Sequence, residues 1–115
     1  TYALIEMGKA NPNYKRYITR VTLLTNKLNL MELAYFLNRE GRSREIASMF
    51  SRLSRYHKEA TDTAYVSAAA SKFKFRKRKM SYIDCLGYWI AKENSAKFLT
   101  GDEKFRDLDN VEFVQ

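Results

Sequence analysis

The stretch Met80-Ser81-Tyr82-Ile83-Asp84-Cys85-Leu86-Gly87, followed by Phe98-Leu99-Thr100-Gly101-Asp102-Glu103-Lys104-Phe105, decides the fold. Ser81 opens a helix whose apolar face is Ile83, Leu86, Gly87, Ile90 and Ala91. Ser81-x-x-Asp84 has the spacing of a capping box, with Asp in place of the usual Glu. Lys97 to Thr100 reads as a short strand, Glu103 to Leu108 as a helical turn, and Val111 to Val114 as a final strand. One acid, Asp84, therefore stands in the first turn of an apolar helix, and a second, Asp102, directly follows a strand.

The preceding residues continue the alternation. Tyr2 to Met7 is a helical turn ending at Gly8, Asn11-Pro12-Asn13 is a break, and Tyr14 to Ile18 is a short helix. Arg20 to Thr25 is β-branched enough for a buried strand. Leu28 to Arg39 is a helix stopped by Gly41. Ser43 is placed to cap an amphipathic helix with Ile46, Ala47, Phe50 and Leu53 at 3-4 spacing, and the two helices should pair. Tyr56 to Thr61 reads as a weak strand. Thr61 or Asp62 caps a helix of small residues including Ala64, Ala68 and Ala69, which permit close packing. Strands alternating with helices imply parallel pairing and an α/β sandwich.

At 115 residues the chain is one domain, and 45% hydrophobic residues make it globular. No apolar run approaches the roughly 18 residues that span a bilayer, so no membrane partner is expected. Cys85 is the only cysteine, which excludes an internal disulfide and a thiolate metal site; a reducing cytoplasm fits. The net charge of +8 points to a polyanion such as nucleic acid.

Glu32, one turn into its helix, has Tyr35 and Phe36 as its i+3 and i+4 neighbours and so shares their apolar stripe. A carboxylate there costs several kcal/mol unless a cation or donors compensate (about 2–7 for an unpaired polar group). Taken singly, Asp84 can be a helix-start charge beside the dipole, and Asp102 a turn residue after Gly101. Taken together, Glu32, Asp84 and Asp102 fall near the carboxyl edge of a parallel sheet, where ligands bind. Three carboxylates there raise one another's pKa values unless a cation neutralises them. Oxygen ligands without Cys or clustered His favour Mg²⁺ or Mn²⁺ over zinc. His57 reads as a surface or strand-end residue, and Cys85 as core.

Thr1-Tyr2-Ala3-Leu4-Ile5-Glu6, Asn29-Leu30-Met31-Glu32-Leu33, Ser81-Tyr82-Ile83-Asp84 and Leu99-Thr100-Gly101-Asp102-x-x-Phe105 together resemble PIN domains, particularly VapC-type toxins of prokaryotes. Asn110 to Val114 is similar to the family's closing segment, so nearly the whole chain is covered. The resemblance implies a three-layer α/β/α sandwich with a central parallel sheet and a Mg²⁺- or Mn²⁺-dependent endoribonuclease. It also implies a homodimer and a small antitoxin protein that occupies or distorts the site. Glu32, Asp84 and Asp102 match the family's second, third and fourth acids, and Thr100 matches a supporting hydroxyl. Asn29 and Thr1 are the other supporting residues. The family's first acid is an Asp immediately before the Thr-Tyr-Ala-Leu-Ile segment, at the end of the first strand. The single domain spanning 1–115 is therefore expected to lack that strand and that acid, both upstream of Thr1, and the strand would bury Leu4 and Ile5. The alternative is a catalytically impaired PIN-like module that binds RNA without cutting it.

Lys72 to Lys79 carries six cations around Phe73 and Phe75. Lys74, Arg76, Lys77, Arg78 and Lys79 are expected to neutralise RNA phosphates near Asp84, and an acidic antitoxin segment would suit the same surface. Phe73 and Phe75 read first as anchors to the core and second as base-stacking rings.

Overall fold

The computed structural model describes residues 1–19 and 24–115. Among these residues six α-helices run Tyr2–Gly8 (α1), Lys15–Thr19 (α2), Lys27–Arg39 (α3), Ile46–Leu53 (α4), Asp62–Lys74 (α5) and Tyr82–Glu93 (α6). Two strands, Phe98–Thr100 (β1) and Val111–Phe113 (β2), pair in parallel, with Leu99 opposite Glu112.

Helix α3 starts where Asn26 accepts the Asn29 N–H at 3.0 Å. It ends in a Schellman motif: the Arg42 N–H bonds the Leu37 carbonyl at 2.7 Å and the Gly41 N–H bonds that of Asn38 at 3.1 Å. Gly41 adopts φ +70°, which glycine tolerates without a Cβ clash. Leu30, Leu33, Phe36 and Leu37 bury one stripe against Met49 of α4, with Leu4 and Ile5 of α1 packed beside them. Leu4 and Ile5 thus find cover on α3 and α4, where a strand before Thr1 was expected to supply it. Ser43 does not cap α4. It opens a 3₁₀ turn without a side-chain cap bond, and the Arg42–Glu45 ion pair fixes the corner instead.

Helix α6 lies against α5, where the small side chains of Ala64 and Ala68 let the backbones approach. Cys85, Leu86, Tyr88 and Ile90 are buried in that seam, so the free thiol is core as expected. Successive residues of β1 point to opposite faces. Phe98 enters the α5–α6 cluster, whereas Leu99 packs on Ala3, Tyr14 and Tyr17 from α1, α2 and the turn between them. Helices therefore cover both faces of the parallel pair, which is the expected α/β layering.

The remaining strand expectations fare unevenly. Residues 20–23 of the expected Arg20–Thr25 strand lie outside the described residues. Thr25 itself makes a parallel bridge to His57, with the Lys58 N–H donating to the Thr25 carbonyl at 2.7 Å. The expected Tyr56–Thr61 strand shrinks to that bridge. Ser54–Tyr56 is a 3₁₀ turn, and the polar run His57-Lys58-Glu59 offers no alternating apolar face to extend a ladder.

Gly101, between β1 and Asp102, is required by space. A Cβ there would stand 2.4 Å from the Val114 carbonyl oxygen and 2.6 Å from the Tyr2 ring. Gly101→Ala is expected to destabilise the domain by about 1–3 kcal/mol, the usual range for overpacking. Urea denaturation would show this as a lower midpoint at unchanged m-value.

Candidate active site

Asp84 is the third residue of α6, and Ser81 Oγ accepts its N–H at 3.0 Å, closing the first turn as the spacing predicts. This cap holds the carboxyl half-buried at the helix start. Burial pushes its pKa up. The Ser81 hydrogen bond opposes that shift, while Glu32 and Asp102 add to it. Asp84 is thus the carboxyl on which the fields of the other two candidate acids converge.

Glu32 reaches the site from α3. Its Oε1 accepts from the Thr1 hydroxyl, which also lies 2.8 Å from Asn29 Oδ1. One hydroxyl has one proton, so Thr1 donates to one of these oxygens at a time. Asn29 is buried and sits one turn before Glu32, and the Thr1 nitrogen approaches its Oδ1 at 3.4 Å. The expected apolar setting of Glu32 is only half right. Phe36 is buried, but Tyr35 is 68% exposed, which places Glu32 on the rim of the core stripe.

Asp102 arrives from the end of β1. The fully buried Thr100 accepts the Asp102 N–H on Oγ1 at 3.1 Å, and Asp102 Oδ1 accepts the Lys104 N–H at 3.0 Å. One carboxylate oxygen is therefore occupied in capping the Glu103–Phe105 turn.

Four elements, namely the start of α1, α3, α6 and the end of β1, deliver Thr1, Glu32, Asp84 and Asp102 to one edge of the fold. Among the described residues, however, no three acidic, His or Cys side chains close to the spacing of a single metal cage. In donor type the set fits a hard divalent cation, being all oxygen with one half-buried carboxyl held above its ordinary pKa. In spacing it does not form a three-carboxylate cage. His57 stands apart, pairing with Glu59 at 3.1 Å.

The basic segment borders this edge. Helix α5 runs to Lys74, Arg76–Arg78 form a 3₁₀ turn, and Lys79 at φ +55° turns the chain into α6. Arg78 is not a free cation. Its guanidinium forks onto Asp107 at 2.6 and 2.9 Å and donates to the Lys104 carbonyl at 2.9 Å. It clips the basic turn to the segment that carries Asp102, and that bidentate pair removes it from the set expected to meet phosphates. Arg76 stacks on Phe73, and Lys74 lies over Phe75. Lys74, Arg76, Lys77 and Lys79 make no ion pair among the described residues. Two residues are not singled out by the sequence: Lys72, which donates to the Met80 carbonyl at 2.6 Å, and Tyr82, exposed at the start of α6. Lys72 is visible there only as one cation in a run, and Tyr82 only as a filler between cap and apolar face.

The PIN domain family profile matches residues 2–111. The chain belongs to the PIN domain family. No curated protein and no solved structure matches it. PIN domains are generally nucleases, act on nucleic acid and use divalent metals. No helix of this PIN domain, among the described residues, is long and apolar enough to cross a membrane.

Proposed function

We propose that this PIN domain is a Mg²⁺- or Mn²⁺-dependent endoribonuclease that hydrolyses RNA phosphodiester bonds, and that it is the toxin of a toxin–antitoxin pair. The observation that carries the reading is Asp84: a carboxyl fixed at a helix start, pushed up by burial, with Glu32 and Asp102 adding to the effect. A carboxyl so placed gains most from a cation. Asp84 and Asp102 would hold the ion, with Glu32 acting directly or through water. Thr1 and Asn29 orient Glu32, and Thr100 orients the backbone of Asp102. A bound divalent ion supplies a bound water of lowered pKa and a counter-charge for the phosphoryl oxygens. No side chain is needed as nucleophile.

A homodimer belongs to the same reading: Leu28, Met31 and Tyr35 leave an exposed apolar stripe on α3 next to Glu32. The free cations suit an acidic antitoxin segment, and the buried thiol of Cys85 suits a cytoplasmic protein.

The wide spacing of the carboxylates favours one competing reading, a PIN-like module that binds RNA without cutting it. Calorimetric titration with Mn²⁺ separates the two. The nuclease binds the ion and loses that binding in Asp84→Asn; the module gives no heat of binding.

The free cations give a further expectation. Replacing Arg76, Lys77 and Lys79 by Ala should weaken single-stranded RNA binding. The slope of log K against log salt should fall by about 2, at roughly 0.7 for each phosphate no longer neutralised. An unchanged slope excludes these residues from the interface.

A further inference from the structure

Phe73 and Phe75 alternate with cations in the sequence, but the fold treats them differently. Phe75 packs against the α5–α6 core. Phe73, in the last turn of α5, is 69% exposed, and Tyr82, the first residue of α6, is 71% exposed. Each open ring is attended by a cation. The Arg76 guanidinium lies 4.7 Å from the Phe73 centroid, and Lys72 Nζ lies 4.6 Å from that of Tyr82. Lys72 immediately precedes Phe73, and its bond to the Met80 carbonyl ties the end of α5 to the approach of α6. Tyr82 stands in the same helical turn as Asp84.

We propose that Phe73 and Tyr82 stack unpaired nucleobases, with Lys74 and Arg76 meeting the phosphates, so that a single strand is led past Tyr82 to Asp84. The inference rests on the nuclease reading for what happens at Asp84, but the platform itself is a binding site. Exposed rings engage base faces, and a duplex keeps its base faces stacked inside. The flanking cations match a polyanion. A second copy of this chain is the poorer occupant, because it would set Lys72, Lys74 and Arg76 against another strongly basic molecule.

The test is fluorescence anisotropy in EDTA with the full chain. The probes are a labelled single-stranded oligoribonucleotide and the same sequence annealed as a duplex. Phe73→Ala and Tyr82→Ala are each expected to weaken single-strand binding about tenfold, the scale of one stacking partner removed. Duplex binding should change by less than about twofold, because shape and phosphate contacts dominate there. Phe73→Tyr and Tyr82→Phe should retain wild-type affinity, and all four variants should keep the wild-type urea midpoint. Unchanged single-strand affinity in both alanine variants overturns the platform, as does an equal loss for the duplex. So does a change in sedimentation velocity with RNA affinity intact, which would mark an interface between copies. Unchanged affinity with Mg²⁺-dependent cleavage rejects the platform and keeps the nuclease; the expected affinities with no cleavage keep the platform and reject the nuclease.

Discussion

Asp84→Asn is expected to abolish RNA cleavage while making the metal-free protein more stable. The loss of activity should be at least about 100-fold, since even partners that only support a metal ligand are worth up to that much. The gain in stability follows from the direction of the Asp84 shift. Burial raises the folded-state pKa above the unfolded value, with Glu32 and Asp102 adding to the effect. A group raised in this way favours folding fully below its unfolded pKa and loses that contribution as pH rises through the folded value. At neutral pH in EDTA the ionised carboxyl is therefore a burden to the fold, and Asn, which keeps the Ser81 backbone cap and carries no charge, relieves it. Thermal melts in EDTA should show Asp84→Asn above wild type at pH 7, with the gap closing towards acid pH. With Mn²⁺ the order should invert, because saturating ligand at 100 times its Kd adds about 2.7 kcal/mol to a protein that binds it. A variant less stable than wild type in EDTA would mean that the carboxyl serves the fold.

Phe105→Ala carries the largest expected effect on stability. Phe105 is 1% exposed and sits three residues after Asp102. Its ring centroid lies 5.1 Å from that of Phe98 and 6.3 Å from that of Tyr88, so it joins the strand, α6 and the 3₁₀ turn. Removing a fully buried ring costs about 3–5 kcal/mol. A small domain has about 5–15 kcal/mol in total, so the variant should unfold at far lower urea and bind RNA weakly even where it remains folded. A midpoint within error of wild type would show that this cluster is not the centre of the fold.

Much of this is readable in the residues. Helices α3 and α6 announce themselves because each combines an end signal, the Gly41 stop in one and the Ser81 cap in the other, with an apolar period, and both signals are local. Asp84 can be placed for the same reason, since Ser81-x-x-Asp84 fixes its position in the first turn. Tyr35 misleads because 3-4 spacing cannot separate two neighbouring stripes. Leu30, Leu33 and Leu37 form the buried one, whereas Leu28, Met31 and Tyr35 form the exposed one a small rotation away. The strand at Tyr56 fails for a different reason, because pairing depends on a distant partner and only Thr25 meets it. Arg78 shows the same limit. Its role is decided by Asp107, 29 residues later, and nothing in Lys72 to Lys79 distinguishes it from its neighbours. Phe73 and Phe75 are likewise equivalent in the sequence, until the end of α5 turns one ring inward and leaves the other in solvent.

The most direct measurement is single-turnover cleavage of a labelled single-stranded RNA in Mg²⁺ and in EDTA, by wild type, Asp84→Asn and Asp102→Asn. Cleavage by wild type in Mg²⁺, abolished by EDTA and by either substitution, is the expected result. Undiminished cleavage in EDTA, or by either variant, would show that these carboxylates do not hold a catalytic metal.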